Sequence, residues 1–461
     1  MKRAIALFVF VFAAGAGAQE LSPSPHGPTA NPPARAATTP EFLKSADEVL
    51  EQMSDILHLP IKTPLKKSLR SKEEIRDYLV REEKEDRTDA QRYTDEKSLE
   101  AFGLVPKNFP LDAFMLDVLT EQVAGLYDPK AKEFYIADWI PVDEQKDVMS
   151  HELTHALEDQ SFDIDPWIKA ARPNDDAEMA RDAVSEGTAL AAMVDYSLRD
   201  EKMSVRDMGD ISMVIRAGAI AEMDQDKTLA KAPLYIRDGL LFPYLAGTGF
   251  SQAFLKAHSG WQDLHLIFER PPVSTQQIMQ PNLYLQNVAP EKVALPELGG
   301  LVPPSWKLLE QNVLGEFGVD EVLRQFLGNQ RADDLSASWD GDRYAVYEDS
   351  KTKNLSLVFL LALQNEEDAH RFFGQYSEAL EKKHDDRSHL YRRPNFFQFQ
   401  TDEGGVYLYC VGHRCLAVEG ASRNTFEGMV HSMGWPSAPA PADAPTPDVA
   451  QLANHNMQAA R

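Results

Sequence analysis

The stretch from Glu144 to Gln160 contains neither glycine nor proline, and inside it stands His151-Glu152-Leu153-Thr154-His155. An unbroken run of that length reads as helix. On a helix, positions i and i+4 share one face, so both imidazoles project to the same side. Met149, Leu153, Ala156 and Leu157 form a separate apolar face. The fold must therefore bury this helix on one side while leaving the two histidines to converge on another. Two neutral nitrogens at this spacing, with a carboxylate beside the first, suit one Zn2+ that activates water. Glu152 is then placed to accept the water's proton. The alternative is a pair of core histidines satisfied by hydrogen bonds alone.

A zinc site of this kind needs a third protein ligand, and the next predicted helix, Asp176 to Arg199, offers two. Glu186 lies among the small residues Ala183, Gly187 and Ala191, which let another helix approach closely. Glu178 begins a Glu-x-x-x-Asp spacing with Asp182, at the acidic start of the helix. There a carboxylate has an ordinary role in balancing the helix dipole at a solvated end. Glu186 is preferred, with Glu178 as the competing ligand.

His151 to Leu157, followed by Glu186-Gly187-Thr188-Ala189, resembles the gluzincin group of zinc metallopeptidases. Within that group the chain resembles a set of secreted bacterial proteins. The likeness rests on the run His151 to Gln160, the A-x-x-E-G-x-A pattern at Ala183 to Ala189, Gly125-Leu126-Tyr127-Asp128-Pro129, and Pro271 to Gln277. It covers about residues 110 to 290. It implies His151, His155 and Glu186 as metal ligands and Glu152 as catalytic base. The chain departs from thermolysin-like enzymes at Leu190, where those carry an aspartate four residues after the ligand glutamate. The group that orients the ligand histidines is therefore unassigned.

Two short runs, Gln122 to Tyr127 and Glu133 to Ala137, flank the turn signal Asp128-Pro129-Lys130. They predict a hairpin before the zinc helix. Its strand Phe134-Tyr135-Ile136 is expected at the sheet edge, where a peptide could add a strand. The plainer reading is a hairpin that covers the core. Hydrolysis also needs a donor to the oxyanion. Tyr244 is the first candidate and Tyr196 the second, and either could instead be a core tyrosine.

Lys2 and Arg3, the apolar run Ala4 to Ala14 and the small residues Ala16-Gly17-Ala18 predict an export signal over 1–18. The protein is expected in the periplasm or the medium, with no integral membrane segment after signal removal. The chain carries 47 basic and 72 acidic residues, a formal charge of −25. Such a surface repels phosphate backbones and argues against nucleic-acid binding. Cys410 and Cys415 flank four residues between strand-like runs. A cross-strand disulfide is expected, since export supplies an oxidising compartment. A second metal site with His413 would lack a full ligand set.

Segments 19–40 and 436–461 are rich in proline and alanine and are expected to be disordered. Residues 41–109 read as charged amphipathic helices, either a propeptide over the zinc or an integral part of the fold. The zincin-like unit is expected over 110–289. The Pro- and Gly-rich stretch Pro290 to Pro304 marks a boundary. An accessory domain follows over 305–435: helix from Trp306 to Leu327, then strands and helices, with turns at Asp340-Gly341 and Gly404-Gly405. The predicted class is α+β: a mostly helical zincin-like metallopeptidase unit followed by a smaller α+β domain. The expected function is peptide-bond hydrolysis by zinc-activated water, with a peptide or protein as substrate. The alternatives are a non-catalytic zinc-containing envelope protein that binds a partner through its C-terminal domain, and zinc hydrolysis of a non-protein substrate.

Overall fold

The computed structural model describes residues 39–123, 125–139, 142–223 and 228–440. The expected signal, nearly all of the leader and most of the C-terminal tail lie outside the described residues. The class is α+β, with a largely helical first part and an antiparallel sheet in the second.

Helix α1 (Thr39–Leu57) leads to strand β1 (Lys66–Arg70) and helices α2 (Lys72–Asp86), α3 (Asp89–Phe102) and α4 (Leu111–Gln122). Strands β2 (Gly125–Asp128) and β3 (Glu133–Ala137) form the expected hairpin. Then come α5 (Val142–Phe162), α6 (Ile164–Lys169), α7 (Asp175–Leu198), α8 (Ile211–Met223) and α9 (Leu234–Ala257). The short helices α10 (His265–Glu269), α11 (Thr275–Met279) and α12 (Pro281–Leu285) close this part. The second part holds β4 (Trp306–Asn312), α13 (Gly315–Leu327), α14 (Asn329–Ser336), β5 (Trp339–Asp349), β6 (Leu355–Leu363) and α15 (Glu366–Lys383). It ends with β7 (Ser388–Arg393), β8 (Phe396–Thr401), β9 (Gly404–Val411), β10 (Arg414–Ala421) and α16 (Arg423–Ser432).

The small sheet corrects one expectation. Its order is β1-β3-β2, so Phe134 to Ile136 lies in the middle strand, not at an edge. β1 takes the edge of β3 in parallel register, Lys66 opposite Glu133 through Arg70 opposite Ala137. With three basic residues in five, β1 carries no apolar alternation, so pattern reading misses it. β2 becomes the outer strand on the other side.

The large sheet runs β4-β5-β6-β10-β9-β8-β7, and its neighbouring pairs are antiparallel. Its centre is buried on both faces, which is why β6 reads as a continuous apolar run. Leu357, Phe359 and Leu361 face the core that holds Phe372, Phe373 and Tyr376 of α15. Val358 and Leu360 alternate to the opposite face, where Phe426, Met429 and Val430 of α16 cover them.

Trp306 to Asn312 is strand rather than helix, paired with β5 at the sheet edge. An edge strand with one wet face carries a mixed polar pattern that a helix can also satisfy. β7 was not anticipated because it too is a largely exposed edge strand. Asp340-Gly341 lies inside β5 at a bulge, and Gly404-Gly405 opens β9; neither is a free-standing turn. Cys410 and Cys415 sit opposite each other in β9 and β10 and are joined as a disulfide.

Residues 41–109 are built into the same core as α5, the helix that carries His151 and His155. α1 packs on α5 and α7, and Phe42 lies 5.9 Å from Phe134, ring to ring. Phe102 of α3 reaches the large sheet, meeting Tyr344 at 5.1 Å and Phe359 at 5.4 Å, both edge-on. The first described tail residues are also held, with Tyr391 donating its hydroxyl to the Ala440 carbonyl at 3.1 Å.

Candidate metal centre

His151 and His155 occupy successive turns of α5, and their rings meet edge-on with centroids 4.8 Å apart. Their Nε2 atoms lie 3.1 Å from one another. Glu186 reaches across from α7, its Oε2 3.2 Å from His151 Nε2 and 3.4 Å from His155 Nε2. The three ligand atoms all fall within 4.8 Å of each other. Two imidazole nitrogens and one carboxylate oxygen, converging from two helices, match the donor set of a catalytic zinc site. Without a metal, the same crowding is met by charge. Burial opposes a proton on His155, but the Glu186 carboxylate outweighs it and raises its pKa to about 9. Burial takes His151 down to about 4, so it stays neutral near pH 7. Burial would raise Glu186, yet the two histidines hold it well below the usual carboxylate range.

Glu152 is 2 % exposed, and burial pushes its pKa up to about 8. Its Oε1 has no hydrogen-bond partner. The carboxyl group accepts from the Tyr127 backbone N–H of β2. A buried carboxyl oxygen without a donor, next to the ligand cluster, fits a base that takes a proton from an incoming water. β2 can lie this close because Gly125 has no side chain. A Cβ there would stand 2.7 Å from Val148 Cγ1 and 3.4 Å from Glu152 Cγ. Since Tyr127 points its N–H at Glu152, the outer edge of β2 is the sheet edge that faces this carboxylate.

The small face of α7 does admit a close helix, and that helix is α9. A Cβ on Gly187 would sit 2.0 Å from the carbonyl carbon of Gly247. One turn before Gly247, Tyr244 is 3 % exposed and bonds its hydroxyl to Glu186. Its ring lies 6.3 Å from that of His151. Burial, with the charges of Glu186, Asp182 and Glu152, raises its hydroxyl well above the ordinary tyrosine value. The structure thus brings Tyr244 to the site as a partner of the third ligand candidate.

Glu178 is not part of the cluster. It is buried rather than solvated, and both carboxylate oxygens accept from Arg172 Nε, at 3.0 and 3.1 Å. Tyr196 is a core residue with the Arg199 guanidinium 4.0 Å over its ring. Three neighbours escaped sequence reading. Ser185 Oγ lies 3.3 Å from His155 Nδ1, at the ring nitrogen that faces away from Glu186. Thr188 donates to Glu158 Oε1 at 2.6 Å, tying α7 to α5. Glu158 is fully buried, and its charge helps hold the proton on His155. Glu158 stands three residues after His155, so a third polar group on the histidine face was open to view. The Tyr127 amide has no side-chain signature.

Residues 307–429 match a domain of unknown function, DUF8575. That match runs from β4 into α16 and lies apart from the helices that carry His151, Glu152 and Glu186. No curated protein and no solved structure matches the chain.

Proposed function

We propose that the protein is an exported zinc-dependent metallopeptidase of the gluzincin type, holding one Zn2+ through His151, His155 and Glu186. The convergence of these three donors beside the unbonded Glu152 carboxyl oxygen carries the reading. Zinc, when bound, supplies a Lewis acid that polarises a carbonyl and lowers the pKa of water. Glu152 accepts the proton of the attacking water and passes it to the leaving amine. Its raised pKa, about 8 without metal, supports the second half of that transfer, and the charge of bound zinc would draw it down toward the basic form that the first half requires. Ser185 bears on the far nitrogen of His155, and Tyr244 steadies Glu186. A phenol has one proton to give. An oxyanion role for Tyr244 would therefore require its bond to Glu186 to open during turnover.

The substrate is a peptide or protein segment in extended form, laid along the outer edge of β2. The Tyr127 N–H directed at Glu152 supports that placement, since it sets the outer side of β2 beside the base. Export is supported by the N-terminal sequence pattern and by the Cys410–Cys415 disulfide, a bond at home in an oxidising compartment.

The test is metal analysis joined to one mutation. Purified wild type is expected to hold one zinc per chain and to cleave an unfolded protein substrate such as reduced casein. Glu152→Gln is expected to keep the zinc and lose cleavage. Wild type that holds zinc and cleaves nothing would favour a zinc-containing binding protein instead.

A further inference from the structure

Helix α13 places Phe317, Asp320, Glu321 and Arg324 on one face, at i, i+3, i+4 and i+7. An acidic face of this kind is normally solvated, but here Asp320 is 2 % and Glu321 1 % exposed. The face looks across a cavity of about 710 Å³ toward α9. The cavity follows α9 from Arg237 to Lys256, a length on the order of 28 Å at 1.5 Å per residue. Its middle is apolar, lined by Leu241, Leu245, Phe250, Ile278, Met279 and Phe317. Tyr244 and Gly247 belong to the other side of α9, toward α7, so the groove is separate from the metal centre. It lies where the helical half meets the domain-matched half, a usual place for a ligand.

Charge is unevenly distributed at the end near Arg237. Arg324 is approached by Asp320 at 2.6 Å, Asp333 at 2.7 Å, Asp238 at 3.6 Å and Glu321 at 3.7 Å. Arg237 binds Asp238 at 2.7 Å. Four carboxylates therefore share two guanidinium groups. Asp238 accepts from Arg237, Asp333 from Arg324 and Asp320 from Ser336 at 2.8 Å, while Arg324 Nε stands 2.6 Å from Asp320 without a hydrogen bond. Glu321 has no donor: neither of its buried oxygens finds a hydrogen bond, and 3.7 Å from Arg324 is too long for one. A buried acceptor left without a donor is costly, and Glu321 stands in the wall of this cavity, where a small side-chain shift would bring its carboxyl group to a molecule that could supply one.

We infer that this groove binds a small organic cation, an ammonium or guanidinium group on an apolar body, with Glu321 as its anchor. The cationic head pairs with Glu321, which burial and the charge of Asp238 hold toward its protonated form, so binding releases a proton as the ion pair forms. The body lies against Leu241, Leu245 and Met279 and gains by leaving water. Arg216, Lys256 and Asp210 line the cavity too and are exposed; Lys256 and Asp210 lie toward the opposite end of α9.

The full mature chain can be titrated calorimetrically with 4-phenylbutylamine, and with 4-phenylbutanol and 4-phenylbutanoate as neutral and anionic matches in shape. The amine is expected to bind at least about tenfold more tightly than either, the worth of a charge-assisted hydrogen bond. Glu321→Gln keeps the side-chain volume and should erase that preference. Ala246→Trp, which fills the groove beside Leu245 from a partly exposed position on α9, should abolish binding of all three. Thermal melting confirms that each variant is folded; if Glu321→Gln fails this control, Ala246→Trp carries the test. The inference is overturned if amine and alcohol bind equally, if the amine does not bind up to about 1 mM, or if folded variants bind it like wild type.

Discussion

Gly187→Ala adds one methyl group, and its effect can be worked from the α7–α9 crossing. The new carbon would stand 2.0 Å from the Gly247 carbonyl carbon and 2.2 Å from its oxygen. Carbon atoms in ordinary contact lie about 3.5–4.0 Å apart, so the helices must separate by roughly 1.5 Å. Nothing flexible stands in the way that could yield instead, since the obstructing atoms are backbone. Overpacking of this kind costs about 1–3 kcal/mol. Alanine in place of glycine inside a helix returns about 1 kcal/mol. Where the upper part of the overpacking range applies, as a backbone clash implies, the variant is less stable by about 1–2 kcal/mol. The separation also carries Tyr244 away from Glu186, so zinc affinity should fall with stability. Differential scanning calorimetry with and without zinc, and competition with a chromophoric chelator, read the two effects. Gly374→Ala in α15 is the internal control. A Cβ there meets nothing within 4 Å, so the same change should stabilise by up to about 1 kcal/mol. The reasoning fails if Gly187→Ala melts at or above wild type with its zinc affinity intact.

Glu152→Gln should lower the hydrolysis rate by about 10²–10⁴-fold while leaving zinc content unchanged, as measured by single-turnover cleavage and atomic emission. Glu186→Ala should lose zinc at a chelator concentration that wild type withstands. Glu178→Ala should hold zinc normally but lose on the order of 2–3 kcal/mol of stability, because Arg172 loses a buried partner; the reverse pattern would move the third ligand to Glu178. The pH dependence of the metal-free protein follows from His155, whose folded value of about 9 exceeds its ordinary one near 6.5. Its stabilising contribution is complete below about 6.5 and is lost as pH rises through about 9. Zinc must displace that proton. The zinc-induced rise in melting temperature should therefore grow between about pH 6.5 and 9, and a gain that shrinks across that range would refute the proposed ligand protonation.

The motif helix was legible because two independent patterns coincide on it: an unbroken helical run and an i, i+4 histidine pair. Glu186 could be preferred over Glu178 from its small neighbours, although those residues serve mainly to admit α9. The apparent solvation of Glu178 was misleading, because its partner Arg172 precedes the helix and sequence distance hides the contact. β1 and β7 were hidden for another reason. Edge strands can be polar throughout, since only pairing, not burial, defines them. The middle position of β3 could not be read at all without β1. The burial of the acidic face of α13 is not legible either, because periodicity marks which residues share a side but not what that side meets.

The contact of Phe102 with Tyr344 and Phe359 bears on how the chain can be made and divided. Phe102 has no cover until β5 and β6 have been made, so α3 completes its packing later than α1, whose partners α5 and α7 precede that sheet. By the same contact, a fragment cut to the recognised domain boundaries would carry a bare aromatic-lined socket on its sheet, ready to seize Phe102 supplied as a separate peptide.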